Sequence, residues 1–321
     1  MGVFTLHGSD EFRHLPGTDR EWGESWYHDF AASDGSSGGW LRLGLYPNLG
    51  VAWYWAAFVR AGRPLVLLSD VTAPCPDRAG SSGPVIEVAH GGWTTRWECA
   101  EELQSWRITG TGTARTYADP ADVFVADHPG DGDVEVHYDL EWRGAAPVYP
   151  YPMTTRYEQS AWINGSVVID GEALDVYCPG QRDHSWGNRV WSAPWLWTSG
   201  HLTGGPWFHG VRILLPGAST FQIGYVVRPD HDLAATDRVD VAYTVDADDL
   251  PTSLRVRVDG LELTVTPELH APVMIDSPDG VPSRFPRCVA RFEDDRGNVG
   301  RGWVEFNFPV GGDRLTDTFT G

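Results

Sequence analysis

The segment VEVHYDLEW, residues 134–142, alternates apolar and polar positions without a break. Val134, Val136, Tyr138, Leu140 and Trp142 share one face, and Glu135, His137, Asp139 and Glu141 share the other. A period of two is that of a half-buried antiparallel strand, and it sends His137 to the polar side. The same alternation predicts strands around Trp22–Phe30, Val85–His90, Thr94–Cys99, Ser105–Thr109 and Gly112–Tyr117. Leu41, Leu43 and Leu45 alternate with Arg42 and Gly44, and a PNLG turn leads into a second apolar run, which predicts a hairpin. Asn164-Gly165 and Asp259-Gly260 predict two more hairpin turns. The runs WFHGVRILLPG, STFQIGYVVRPD, VDVAYTVDA and GWVEFNFPV continue the strand pattern toward the C-terminus. Nowhere do apolar residues recur at 3.6 over more than three turns. The expected fold is all-β.

One stretch interrupts the pattern. RGAAPVYPYPM holds Pro147, Pro150 and Pro152. Proline removes a backbone donor and restricts the residue before it. This predicts a domain junction or a long crossover, and the expected division is into two β domains, residues 1–150 and 151–321.

Composition narrows the function classes. A chain of 321 residues suffices for one large β domain or two ordinary ones. Its 37 Gly and 23 Pro suit many short elements joined by turns. With 24 basic and 44 acidic residues, the formal charge is 24 − 44 = −20. That argues against nucleic acid as a partner and against docking on anionic lipid. The start MGVFTLHGSDEF lacks a basic segment followed by an apolar run, and no uncharged stretch reaches spanning length. The expectation is a cytoplasmic protein without stable membrane insertion. Cys75, Cys99, Cys178 and Cys288 are far apart and form no CxxC, so a structural zinc site has no support, and two disulfides are permitted but not required. The glycine-rich phosphate cradles, the GxSxG elbow and HExxH are absent. His14, His28, His90, His184 and His209 are scattered without metal-ligand spacing. Neither a metal nor a cofactor is expected.

The aromatic content is the strongest departure from average. There are 16 Trp, 11 Tyr and 12 Phe. Trp22/Trp26/Tyr27, Trp53/Tyr54/Trp55, Trp93/Trp97 and Trp186/Trp191/Trp195/Trp197 form clusters along the chain. Ordinary core packing accounts for any single indole. Together they also suit a cavity for a large apolar ligand, and indole faces stabilise a cation if the chemistry makes one.

The chemistry concentrates in CPGQRDHSWGNR, residues 178–189. An extended backbone sends Arg182, His184 and Trp186 one way and Asp183 and Ser185 the other. Asp183 and His184 therefore do not form a simple dyad. A buried Asp183 without a positive partner would keep its proton and act as a general acid; a buried ion pair with Arg182 or Arg189 is the structural alternative. Ser185 has neither an adjacent base nor an elbow, so serine chemistry is not expected.

GQRDHSWGNRVW also resembles the DHxWG-type motif of the hydroxyneurosporene synthase (carotenoid 1,2-hydratase) superfamily, and more closely an uncharacterised bacterial branch of it. The similarity extends to Glu24-Ser25, to LRLGLYPN and the aromatic run at 41–55, to LQSWRI at 103–108 and to YEQSAWINGSVVIDGE at 157–172. The resemblance implies two lipocalin-like antiparallel β-barrel or β-sandwich domains with a ligand cavity near their junction. It implies activities among hydratases, cyclases and pericyclases on polyenes, prenylated compounds or polyketide chains. The expected catalytic residues are Asp183, His184 and Glu158. The expected substrate-binding residues are Trp186, Arg182, Arg189, Gln159, Trp191, Trp55 and Glu24.

Three functions follow. The first is a cofactor-independent hydratase or cyclase of secondary metabolism, in which Asp183, Glu158 or Glu24 protonates an alkene or epoxide of a hydrophobic isoprenoid- or polyketide-like substrate. The second is a pericyclase, with His184, Arg182 and Gln159 polarising a carbonyl of the folded chain. The third is a lipophile-binding protein that performs no chemistry. An Asp183 or His184 exposed in a pocket would favour catalysis, and both sealed would favour the binder. No acid pair accompanies the motif, which argues against a glycoside hydrolase.

Overall fold

The computed structural model describes residues 5–77, 83–217, 219–229, 232–276 and 280–319. The first eleven strands are β1 (Gly23–Ala31), β2 (Ser37–Tyr46), β3 (Val51–Arg60), β4 (Leu65–Pro74), β5 (Val85–His90), β6 (Trp93–Glu101), β7 (Ser105–Tyr117), β8 (Gly132–Gly144), β9 (Tyr149–Pro150), β10 (Arg156–Ile169) and β11 (Glu172–Gly187). They form one antiparallel sheet in the order β4-β3-β2-β1-β11-β10-β8-β7-β6-β5, with β9 attached to β10. Leu65, Val66 and Leu67 of β4 also pair with Tyr117, Thr116 and Arg115 of β7, which closes the sheet into a barrel.

The other eleven are β12 (Trp195–Leu202), β13 (Trp207–Leu215), β14 (Ser219–Val227), β15 (Leu233–Thr236), β16 (Val239–Val245), β17 (Pro251–Val258), β18 (Leu261–His270), β19 (Val273–Asp276), β20 (Pro282–Phe285), β21 (Arg287–Asp294) and β22 (Val299–Pro309). Their order is β15-β14-β13-β12-β22-β21-β18-β17-β16, with β19 and β20 beside β22, and the sheet curls into a half-barrel. The all-β expectation of two lipocalin-like domains holds. The cysteines Cys75, Cys99, Cys178 and Cys288 are free thiols. No helix among the described residues is long and apolar enough to cross a membrane.

Burial along the strands shows where the two sheets meet. β8 keeps its exposed-and-buried alternation, because its outer face meets water. β1, β2 and β3 are buried at almost every position. A strand covered on both faces loses the alternation of burial. One face of β1–β3 fills the barrel, and the other packs against the half-barrel. Trp26, Trp97, Trp106 and Trp142 fill the barrel interior. Tyr27, Trp40, Trp53 and Trp55 form a second cluster with Trp191, Trp195, Trp197, Tyr225 and Trp303 across the junction. Indole N–H groups cross it too: Trp40 Nε1 donates to the Ala271 carbonyl at 3.2 Å, and Trp303 Nε1 to the Phe30 carbonyl at 2.9 Å.

Three local expectations change. Asn164-Gly165 is not a turn, since β10 runs straight through it and the chain reverses at Asp170-Gly171, both with positive φ. Gly165 is glycine for a different reason: at φ 145° an added Cβ would lie 2.0 Å from the Asp139 carbonyl oxygen of β8. The two segments at 105–109 and 112–117 are one strand, β7. The prolines do not separate the sheets. β10 and β11, beyond residue 150, pair with β8 and β1, and sheet membership changes between Gly187 and Trp195. Pro150 sits in the two-residue edge strand β9, where a missing donor costs little. That arrangement places Tyr149 and Tyr151 at the junction.

Candidate functional site

The C-terminal half of β11 lies between the barrel interior and the junction, and its two faces carry different chemistry. On the barrel face, the Arg182 guanidinium donates to both carboxylate oxygens of Glu11 at 3.1 and 2.8 Å, and its Nε donates to Gln159 Oε1 at 2.8 Å. Glu11, on a 3-10 turn spanning Gly8–Glu11, also accepts from Tyr157 Oη at 2.6 Å, Trp106 Nε1 at 2.8 Å and the Leu103 amide at 2.8 Å. Burial alone would raise its pKa. The charge and hydrogen bonds of Arg182, with the Tyr157 bond, outweigh burial and hold it below the usual carboxylate range. His184 lies stacked on Trp26, with ring centroids 4.4 Å apart. Its Nε2 is 3.0 Å from Glu24 Oε1, and its Nδ1 is 3.3 Å from Tyr157 Oη.

Glu24 and Trp186 stand at the rim. Glu24 Oε1 also meets His14 Nδ1 at 2.7 Å, and the His14 ring stacks on Trp186 at 3.7 Å. Burial pushes the Glu24 pKa up, and the two imidazole bonds more than reverse it. The donor atoms of His14, Glu24 and His184 lie within 4.8 Å of one another. These three are the described residues best placed to hold a metal ion, although the Glu24 carboxylate already serves both rings.

On the junction face, the register sets Asp183 between Tyr27 of β1 and Glu158 of β10, and Ser185 between Ser25 and Arg156. Arg156 Nη2 bridges Glu158 Oε1 at 2.6 Å and Asp183 Oδ2 at 2.8 Å. Glu158 is fully buried and saturated: Tyr151 Oη, Gln181 Nε2 and Trp197 Nε1 also donate to it, at 3.2, 3.0 and 3.1 Å. Asp183 accepts no second donor among the described residues. Its pKa is pushed up to about 6 by burial; the Glu158 charge adds to the rise, and the Arg156, Arg189 and Arg42 charges oppose it without cancelling it.

Asp183 faces a cavity of about 270 Å³ between the two sheets. Trp186, Trp191, Trp195, Trp197, Val211, Ile213 and Phe221 supply its apolar wall, and Arg42, Tyr46, Tyr151, Arg156, Arg189 and the Arg287–Glu305 pair its polar one. The β12, β13 and β14 residues come from the half-barrel, so neither sheet builds the cavity alone.

Of the residues expected from sequence, Asp183, Arg189, Trp186, Trp191 and Glu24 line this cavity. Glu158 lies behind Arg156 and Trp197. His184, Arg182 and Gln159 face the barrel interior, and Trp55 is packed beneath Trp53 and Arg42. Sequence reasoning missed Arg156, Tyr151, Arg42 and Glu11. Arg156 precedes Glu158 by two positions and so shares its face, a signal visible once β10 is taken as a strand. Arg42 stands out in the sequence only as alternating with Leu41 and Leu43. Nothing in SDEF marks Glu11 as the acid that enters the barrel.

A closed barrel joined to a half-barrel, with an indole-lined cavity between them, places the protein among two-domain lipocalin-like β proteins. The chain belongs to the family described as a domain of unknown function, DUF7064, whose model matches residues 8–310. A comparison with curated protein sequences finds no match. Solved structures share the fold. A candidate AttH (NE1406) from Nitrosomonas europaea superposes with a TM-score of 0.61 at 15% identity, covering 91% of this chain and 94% of that one. Kievitone hydratase from Nectria haematococca superposes with a TM-score of 0.59 at 12% identity, covering 89% of each. CghA with Sch210972 gives 0.56 at 13% identity, covering 92% and 94%. The expected resemblance to the hydratase-like superfamily thus holds at the level of fold, which does not by itself carry a reaction.

Proposed function

We propose that the protein is a cofactor-independent hydratase or cyclase acting on a hydrophobic, unsaturated isoprenoid- or polyketide-like molecule held between the two sheets, with Asp183 as proton donor. The observation that carries this reading is the contrast among the buried acids. Glu11 and Glu24 are stabilised as carboxylates by their partners, whereas Asp183, alone among the described carboxylic acids, combines a raised pKa with a place on the cavity wall. A proton donor works best with a pKa near the working pH. Asp183 faces the cavity, which supports the enzyme reading over the binder. The similarity in fold to kievitone hydratase supports the same reading.

In the hydration variant, the Asp183 carboxyl proton goes to one alkene carbon and forms a C–H bond. The adjacent carbon becomes electron-deficient, and the indoles of Trp195 and Trp197 stabilise it through their faces. Water then forms the C–O bond, and its surplus proton returns to the Asp183 carboxylate. In cyclisation a second double bond replaces water as nucleophile, and a later C–H proton loss restores the acid. His184 acts in neither step; it orients Glu24 and Tyr157 from the other side of the strand.

The test is incubation with a panel of polyenes, prenylated aromatics and polyketide-like chains, followed by mass spectrometry and chromatography. Hydration adds the mass of one water, and cyclisation shifts retention without a mass change. Asp183→Asn should lower turnover about a hundredfold or more. A folded Asp183→Asn protein with near-full turnover removes Asp183 from the acid role.

A further inference from the structure

The cavity holds two guanidiniums that no carboxylate among the described residues neutralises at ion-pair distance. Of its other charged groups, the half-buried Glu21 has no ion pair among the described residues, and the rest are matched. Arg287 pairs with Glu305, Arg156 with Glu158 and Asp183, and Glu24 with His14 and His184. Arg42 is only 6% exposed, yet its one side-chain hydrogen bond among the described residues is long, Nη2 to Tyr46 Oη at 3.4 Å. Its Nη1 is buried without a partner among the described residues. Among the described residues, the Arg189 side chain donates only to hydroxyls, to Ser185 Oγ at 2.7 Å and Ser25 Oγ at 3.4 Å. Burial, then the charges of Arg42 and Arg156, press the Arg189 pKa down to about 10, so the two guanidiniums lie close enough to oppose each other.

The position is built rather than incidental. Both guanidiniums lie over the same indole, Trp191, at 5.7 and 5.0 Å from its ring centre. Gly44, two positions along β2 and on the same face, leaves the space that Arg42 occupies: an added Cβ would lie 2.8 Å from Arg42 Nη1. Cation–π contact with Trp191 and Trp55 offsets part of the cost of burying the charge, but it supplies no hydrogen-bond acceptor. A carboxylate does, because its two oxygens match guanidinium donors and bring the missing negative charge.

We propose that the natural substrate is an unsaturated lipophilic carboxylic acid, whose carboxylate is held by Arg42 and Arg189 at the Trp191 end of the cavity while its chain extends along Trp195 and Trp197. The inference rests on the cavity being the substrate site and adds the charge of the substrate. It also suits the acid step. A bound carboxylate offsets two cations that would otherwise oppose positive charge developing on the alkene, and it disfavours loss of the Asp183 proton.

The experiment uses cis-parinaric acid, a fluorescent polyene carboxylate, and its methyl ester, titrated into the full chain. The acid should bind about tenfold more tightly than the ester or better. In Arg42→Gln and in Arg189→Gln that preference should shrink toward parity, with ester affinity retained. Arg189 is only partly buried and follows β11, so Arg189→Gln carries the test if Arg42→Gln fails to fold. Equal binding of acid and ester by the wild type overturns the carboxylate inference and leaves the cavity reading standing. An acid preference that survives in both folded variants overturns it as well. Binding of neither probe overturns both.

Discussion

Arg182 and Asp183 are adjacent in the chain and almost equally buried, yet their surroundings are opposite in kind. Arg182 enters the barrel and finds a carboxylate, an amide and a phenol arranged to receive it. Asp183 turns to the junction and shares one arginine with a second acid. Desolvation acts on both faces. On the barrel face the partners of Glu11 and Glu24 more than compensate it, so these two acids titrate low. The junction face does not, so Asp183 titrates high. A fold stabilised throughout would look like the barrel face. Uncompensated burial at a cavity wall is the pattern of a working group.

The largest expected effect lies on the barrel face. Glu11→Ala leaves the Arg182 charge buried without its partner and should cost about 3–5 kcal/mol in chemical denaturation. Removing both partners, as in Glu11→Leu with Arg182→Met, should cost clearly less than the single change, because no charge is then stranded. A Glu11→Ala protein of wild-type stability would mean that the barrel pair is not what holds the N-terminal segment in place.

The next effect separates the two faces by function. His184→Gln loses ring stacking on Trp26 and disturbs the Glu24 and Tyr157 bonds, for an expected stability loss of about 1–3 kcal/mol, while turnover per folded molecule persists. Asp183→Asn should show the reverse: near-normal stability and lost turnover. If His184→Gln abolishes turnover without destabilising the fold, the division of labour across β11 fails.

The alternation that produces this division was legible in the sequence, since a period of two fixes which neighbours share a face. The identity of each face was not. Arg42 illustrates why. Its alternation with Leu41 and Leu43 distinguishes an inner from an outer face, but nothing local says that a second sheet, formed more than 150 residues later, covers the outer one. The same gap explains why Trp26 and Trp197 looked alike as cavity candidates. One fills the barrel, and the other meets the junction from the second sheet. The barrel interior is filled by indoles, and the cavity lies at the seam between the sheets. The prolines misled for a related reason. They marked a break in strand pattern, whereas sheet membership depends on the pairing of β11 with β1, a contact between residues that are remote in sequence.

The smallest effect is a difference in pH dependence, and it bears most directly on the electrostatic contrast. Asp183 has its pKa raised from 3.8 to about 6 in the folded state. The folded protein therefore binds this proton more tightly than the unfolded chain between those values. Stability from this group is fully present below about pH 4 and is lost as pH rises through about 6. Glu11 and Glu24 act in the opposite direction. Their pKa values are lowered from 4.5, so their contribution is present above that value and fades as pH falls below it. Total stability mixes these trends, but the difference between wild type and Asp183→Asn isolates one group. Urea midpoints measured from pH 4 to pH 7 should show the wild type losing ground to the Asn variant as pH rises, with most of the change by about pH 6. A flat difference would mean that Arg156, Arg189 and Arg42 neutralise Asp183 as fully as Arg182 neutralises Glu11, and the two faces of β11 would then be electrostatically alike.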